Sequence, residues 1–444
     1  MTISALATDL YEIAMAAGYR HARMAGRCTF ELFVRKLPPR RGYLVAAGLD
    51  QALDYLEKLH FTSDEVAYLR TVPALASVSD EFFTDILPGF RFHGDVWAVR
   101  EGEPVFGGEP ILRVTAPAAE AQLVETALLA IVTFQTSIAS KAARIVQAAK
   151  GRQVIEFGSR RAHGLEAALF AARAACLAGC AGTSNVEAGY RFGVQVSGTM
   201  AHSWVMAFDR ELDAFRTYLD LFGDTTTLLI DTYDTGRAAS SIVTNGLRPS
   251  AVRLDSGDLL ELSRAVRRIL DAGGLESTRI LASGDLDEDS IAALVGADAP
   301  IDAFGVGTSL STSVDAPALG GVYKLVEVEH EGAMVPVVKL SAQKQTYAGA
   351  KQVWRLTEEG VARRDRIGLE SEPNPPGGRP LLQPVMRAGR RIVQGTPLAE
   401  LREECLAAVA ELPAGVRRLS NWEDYEVATT AELERVTADA RARL

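Results

Sequence analysis

From residue 152 onward the chain repeats one pattern. A short apolar run ends in Gly, Ser, Thr, Asp, Arg or His, and a longer stretch leads to the next run. The runs are QVIEFGSRR (153–161), GCAGTSN (179–185), VQVSGTMAHSW (194–204), TLLIDTYDTG (227–236), AVRLDSGDL (251–259), RILASGDLD (279–287), IDAFGVGTSL (301–310) and GVYKLVEV (321–328). Several gaps carry apolar residues at helical spacing, as in LLELSRAVRRILDAGG (259–274). Such βα alternation requires a parallel sheet covered by helices, because parallel neighbours need a crossover between them. Eight candidate strands predict a (β/α) barrel. In barrels the chemistry sits at the C-terminal ends of the strands, where the polar residues of this chain collect.

Outside the repeat the signals differ. GLDQALDYLEKL (48–59) reads as a helix, and RFHGDVWAVREGEPVFGGEPILRVTAP (91–117) as strands separated by Gly and Pro turns. AEAQLVETALLAIVTFQTSIASKAARIVQAAKG (119–151) reads as one long helix ended by Gly151. Residues 341–395 contain EPNPPGGRP and read as a loop or domain-crossing segment, and 397–444 as a charged helical tail.

Charge and cysteine usage narrow the function classes. The chain has 47 basic and 57 acidic residues, a net −10, which argues against coating nucleic acid or an anionic membrane. The four cysteines, Cys28, Cys176, Cys180 and Cys405, lack a second Cys or His pair to complete a zinc site and fit a reducing compartment. The N-terminus MTISALATDLYEI lacks a basic stretch and is interrupted by Asp9 and Glu12, so neither a signal peptide nor a membrane span is expected. A cytoplasmic protein is the expectation.

The strand ends offer anion chemistry. FGVGTSL (304–310) presents two Gly, Thr308 and Ser309 at a strand-to-helix turn, as a phosphate cradle or simply a tight turn. Leu310 stands where a dinucleotide fingerprint needs its third Gly, and no P-loop motif occurs. Arg253 and Asp255 alternate with Val252 and Leu254, so both point to one side of their strand. The pair serves either to bind an anion, a carboxylate fitting the guanidinium fork, or as a structural ion pair. Asp285 suits sugar hydroxyls. Asp231 and Asp234 suit Mg²⁺ and a diphosphate, or helix capping. Arg160 and Arg161 suit a phosphate or a solvated turn, and Phe157 offers a ring face. His202, one of six His, reads as a base, nucleophile, phosphate acceptor or structural His. The first seven strand ends carry no Lys, which counts against a Schiff-base aldolase on the same barrel.

Taken in order, TDLYEIAMA, FELFVRKLP, EFGSRRAHG, GTSN, GTMAHSWVMAF, LLIDTYDT, VRLDSGDL, FGVGTSL, GGVYKL and KLSAQKQTYAGAKQVWR resemble the nicotinate phosphoribosyltransferases, type II phosphoribosyltransferases, over roughly residues 6–395. The resemblance implies an irregular barrel beside a smaller composite α/β domain built from both ends of the chain. The expected divisions are 1–118, 119–340 and 341–444. It implies that nicotinate attacks C1 of 5-phosphoribosyl diphosphate, coupled to ATP hydrolysis through a transiently phosphorylated His202, with Mg²⁺ and a homodimer sharing active sites. It further implies that Arg253 meets the nicotinate carboxylate with Thr199 nearby. Tyr11, donated by a neighbouring subunit, and Phe157 would stack on the ring. Gly284, Asp285, Gly307 and Thr308 would hold the ribose 5-phosphate, Asp255 would face the ribose and Mg²⁺, and Arg160 and Arg161 the phosphates. Lys339, Lys344 and Lys351 would reach diphosphate or ATP. Relatives using nicotinamide carry an acidic residue at the position of Ser184. A carboxylate there, about 4 Å from that of nicotinate, would cost about 4 kcal/mol at an effective dielectric near 20. The competing expectations are a nicotinamide or quinolinate phosphoribosyltransferase, a sugar-phosphate aldolase or epimerase, and a binding protein on a decayed barrel.

Overall fold

The computed structural model describes residues 3–339 and 346–444. The chain forms two compact units, one of residues 1–137, 318–396 and 407–444, the other of 138–317 and 397–406.

The first unit is built on a seven-stranded sheet ordered Ala333–Pro336, Gly321–His330, Arg27–Val34, Pro110–Pro117, Asp95–Val99, Leu382–Arg387 and Arg390–Arg391. All neighbours in it are antiparallel. Phe30 and Tyr323 stack across it with ring centroids 4.8 Å apart. The helix Leu49–Lys58 covers the core with Ala52, Leu53, Tyr55 and Leu56, as its spacing predicts.

Three expectations are corrected here. GVYKLVEV (321–328) is no barrel strand; it pairs antiparallel with Arg27–Val34. Along it only Tyr323 and Val326 are buried, as suits a half-covered antiparallel strand, whereas a central parallel strand is buried on both faces. VQVSGTMAHSW forms no extended strand, only a bridge between Val196 and Thr183 and the short helix His202–Met206. The segment 341–395 is not simply a loop. Lys351–Glu358 and Val361–Leu369 form a hairpin within a four-stranded sheet. Its turn, Glu359 at φ 52° and Gly360 at φ 77°, has the left-handed pair of a tight hairpin. Arg355, buried on this hairpin, pairs with Asp365 and Glu103.

The expected division at 118/119 falls at the start of the helix Ala118–Leu123, ahead of Glu125–Ala148. The structure divides later, after Ser137, because Leu123, Val124, Leu128 and Val132 belong to the first unit's core.

The second unit is an open barrel of six parallel strands ordered Gly182–Thr183, Gln153–Glu156, Ala303–Val306, Arg279–Ala282, Ala251–Leu254 and Thr227–Leu229. Val154, Val252, Leu254, Ile280, Ala282, Phe304 and Val306 are at most 2% exposed and form one face. Ile155, Leu281 and Ala303 cluster on the other, with Phe157 packed against them. The period-two alternation therefore sends Phe157, Arg253, Asp255, Ser283 and Gly305 to that same side. The helix Leu259–Ala272, capped by Asp258, buries Ser263, Val266 and Leu270 along one stripe. Among the described residues no helix is long and apolar enough to cross a membrane.

Candidate active site

A cavity of about 540 Å³ opens at the C-terminal ends of the second unit's strands. Phe157, Arg160, Arg161, Ser184, Thr199, His202, Arg253, Asp255, Gly284, Asp285, Gly307 and Thr308 all line it, although they come from separate segments of sequence. Tyr11 stands on the first unit, 46% exposed on the helix Leu10–His21. Burial and the neighbouring Glu125, Glu12 and Asp9 push its phenol up to about 12.

Arg253 is the centre of the wall. Its Nε donates to Ser283 Oγ at 2.7 Å, Nη1 to Thr199 Oγ1 at 2.9 Å, and Nη2 to Asp255 Oδ1 at 2.6 Å. Ser283 Oγ also donates to Asp255 Oδ1 at 2.5 Å. The guanidinium carbon lies 5.6 Å from the centroid of the Phe157 ring. The structural ion pair is thus formed, and it holds the guanidinium beside an aromatic face at the cavity wall. Burial pushes the Asp255 carboxyl up, but the Ser283 hydroxyl, Arg253 and His202 outweigh it and hold the group below the usual carboxylate range.

His202 begins its helix with the side chain 40% exposed. Nδ1 lies 3.1 Å from Thr232 Oγ1, and Nε2 lies 3.6 Å from Asp255 Oδ2. A hydroxyl and a carboxylate flank the two nitrogens and orient the ring.

The neighbouring aspartates divide their work. Asp234 Oδ1 accepts from Arg237 N at 2.7 Å and caps the helix Thr235–Thr244, so the capping reading holds for it. Asp231 Oδ2 accepts from Asp255 N at 2.9 Å and Ser256 Oγ at 2.8 Å, while its Oδ1 is buried without a hydrogen-bond partner. Among the described residues no group of three His, Cys, Asp or Glu side chains is placed to hold a metal by itself. Mg²⁺ is ordinarily held by one or two carboxylates together with substrate phosphates and water, and Asp255 with the unpartnered oxygen of Asp231 fits that donor set.

Of the three lysines, Lys351 is buried, its Nζ 2.8 Å from Glu31 Oε2 and bonded to the carbonyls of Tyr347 and Gly349. Its charge is committed inside the first unit, which removes it as a phosphate ligand. Lys339 is exposed, and Lys344 lies outside the described residues.

Three models of one family match in sequence order. They are the nicotinate phosphoribosyltransferase N-terminal domain over residues 6–133, the nicotinate phosphoribosyltransferase family over 152–366, and the C-terminal domain over 377–437. A nicotinate phosphoribosyltransferase of Mycobacterium tuberculosis is 47% identical over 426 residues, covering 94% of this chain and 90% of the relative. This chain belongs to the nicotinate phosphoribosyltransferase family. A Bacillus subtilis nicotinate phosphoribosyltransferase is 45% identical over 367 residues, covering 80% of this chain and 73% of the relative. The crystal structure of human nicotinic acid phosphoribosyltransferase superposes with a TM-score of 0.85 at 28% identity, covering 97% of this chain and 99% of that one.

In this member of the family, several residues shape the pocket that sequence reasoning does not single out. Glu156 is fully buried; it accepts from the Gly158 backbone N–H and from Thr183 Oγ1, the latter at 2.6 Å. Its backbone oxygen accepts from Ser184 N at 2.9 Å, so it ties the Phe157 turn to the Ser184 segment. Burial pushes its carboxyl up against the pull of those two hydrogen bonds. Ser283 and Thr232 escape notice because an isolated Ser or Thr carries no pattern. Gly305 reads in the sequence only as part of a phosphate turn. A Cβ there would lie 2.5 Å from two carbons of the Phe157 ring, so the ring occupies the space a side chain would take.

That contact gives a test. Gly305→Ala is expected to tilt the Phe157 ring off its seat and raise the KM for the aromatic substrate, by roughly 10-fold for a strain of about 1–3 kcal/mol. Steady-state kinetics with the variant, alongside its thermal midpoint, checks this. An unchanged KM in folded protein would show that the ring does not contribute to binding.

Proposed function

We propose that this chain joins nicotinate to 5-phosphoribosyl diphosphate, giving nicotinate mononucleotide and diphosphate in NAD salvage from nicotinic acid, with ATP hydrolysed to ADP and phosphate. The observation that carries the reading is Arg253, held by three neighbours, 5.6 Å from the ring of Phe157. A guanidinium beside an aromatic face suits a flat ring bearing a carboxylate. Ser184 lines the same cavity and brings no charge to repel that carboxylate.

The pyridine nitrogen is already a nucleophile, so the protein has no proton to remove. Its work is to align the nitrogen with C1 of the ribose and to stabilise the departing diphosphate. Phe157 stacks on one face of the ring and Tyr11 of a neighbouring subunit on the other, and Arg253 with Thr199 fixes its carboxylate. Gly284, Asp285, Gly307 and Thr308 hold the ribose 5-phosphate, and Arg160 and Arg161 face the phosphates. Asp255 and Asp231 would hold Mg²⁺, which supplies neutralisation of the diphosphate charge. His202 accepts the γ-phosphoryl group of ATP on a ring nitrogen as ADP leaves. Water later takes that group as free phosphate.

The chain acts in the cytoplasm as a homodimer whose subunits share active sites. Tyr190, Leu165 and Val186 on the second unit are 89%, 85% and 72% exposed, apolar side chains that a second copy would cover. The four cysteines are free and buried, in keeping with a reducing compartment.

The test is a product assay with 5-phosphoribosyl diphosphate, ATP and Mg²⁺, offering nicotinate, nicotinamide and quinolinate in parallel. Nicotinate mononucleotide is expected from nicotinate, with little turnover of the other two. Folded protein that forms none would overturn the reading. Preference for nicotinamide would remove the role given to Ser184.

A further inference from the structure

We propose that Lys141 is a positioning residue that sets the spacing of the two phosphate-side loops, Gly284–Asp285 and Gly307–Thr308, and so the affinity for 5-phosphoribosyl diphosphate, without touching it. The inference rests on the reading above for the identity of that ligand.

Lys141 lies on the helix Glu125–Ala148 with its side chain 2% exposed. Its Nζ pairs with Glu288 Oε2 and, at 2.8 Å, with Asp315 Oδ1. Arg144, on the same helix, donates from Nε to Glu288 Oε1 at 3.0 Å. Glu288 opens the helix Glu288–Gly296 directly after the Gly284–Asp285 loop. Asp315 follows the short helix Thr308–Ser311, which begins at the second loop. One ammonium therefore joins the segments that carry both loops.

Helix capping does not explain Glu288. Asp287 already accepts from the backbone N–H groups of Asp289 and Ser290, and Ser290 Oγ closes the box by accepting from the N–H of Asp287. Glu288 is left to face Lys141 and Arg144, with a side chain 1% exposed. Charges this deep are costly unless paired, and removing the shared cation leaves two carboxylates that repel each other. The repulsion in Lys141→Met, and in Asp315→Asn the loss of the charge that ties the second segment to Lys141, would each move the loops apart, and a displacement of about 1 Å at a site that works by alignment costs on the order of 100-fold.

The experiment compares Lys141→Met, Asp315→Asn and Lys141→Arg with the parent. Asp315 is 15% exposed and its replacement by Asn is nearly isosteric, so this variant is expected to fold even if Lys141→Met does not. In Asp315→Asn, and in Lys141→Met if folded, both KM and the calorimetric Kd for 5-phosphoribosyl diphosphate are expected to rise about 10- to 100-fold while the KM for nicotinate stays at the parent value. Lys141→Arg, which keeps a cation, is expected to restore most of the affinity. A purely structural role would lower the active fraction and leave every KM unchanged; that result, or an equal rise for both substrates, overturns the inference. A parent that binds 5-phosphoribosyl diphosphate but forms no nicotinate mononucleotide would remove the functional reading, and the Kd comparison would still decide the inference. A parent that does not bind it overturns both.

Discussion

His202→Ala is expected to make the rate of nicotinate mononucleotide formation the same with and without ATP, and to abolish acid-labile labelling from γ-phosphate-labelled ATP. The expectation follows from where the imidazole sits. It lines the cavity, 40% exposed, with Thr232 Oγ1 at 3.1 Å from one nitrogen and Asp255 Oδ2 at 3.6 Å from the other. It is reachable by a phosphoryl group, and a phosphorylated ring would keep one nitrogen for a protein contact. The side chain adds little to the core, so folding is expected to survive its truncation. Retained labelling in the variant would assign the phosphoryl acceptor elsewhere, and ATP stimulation that persists without labelling would mean ATP acts by binding alone. His202→Gln serves as a second variant, because its amide can still bond Thr232 but cannot be phosphorylated.

Arg253→Ala is expected to raise the KM for nicotinate far more than that for 5-phosphoribosyl diphosphate. Truncating one partner of a buried, hydrogen-bonded charge pair costs about 2–5 kcal/mol, or roughly 30-fold to several thousand-fold in affinity. The side chain is 15% exposed, so solvent screens little of this. The upper part of the range is favoured because the deletion also frees Asp255, leaving its charge with only the Ser283 hydroxyl on Oδ1 and facing an anionic substrate. Arg253→Lys is expected to recover only part of the loss, since an ammonium cannot hold Ser283, Thr199 and Asp255 in one plane while meeting a carboxylate. The check is a full kinetic matrix in both substrates. Equal rises in the two KM values would mean that Arg253 serves the cavity as a whole and not the nicotinate carboxylate.

How legible each feature is in the residues follows from how local its signal is. The period-two alternation in VRLDSGDL is enough to put Arg253 and Asp255 on one face, because side-chain direction along a strand is set by the backbone alone. The amphipathic stripe of LLELSRAVRRILDAGG likewise matches the helix Leu259–Ala272. GVYKLVEV misleads because a short apolar run looks the same in a parallel and an antiparallel strand until its partner is known, and its partner, Arg27–Val34, lies almost three hundred positions earlier. The hairpin at 351–369 is hidden because its turn is Glu-Gly, a weaker signal than Asn-Gly, and because the buried Arg355 and Asp365 read as surface charges until paired.

The sequence by itself determined the parallel βα unit, the polar strand ends and the family, since these depend on local periodicity and on motifs read in order. Only the tertiary structure decided that six strands, not eight, make the open barrel, and that Asp234 caps a helix while Asp231 braces Asp255. It alone decided that the Lys351 charge is spent on Glu31, and that Gly305 leaves the space in which Phe157 lies. The physical reason is common to all of these. Pairing of strands, neutralisation of buried charge and close packing are set by contacts between residues far apart in the chain, which no local pattern encodes.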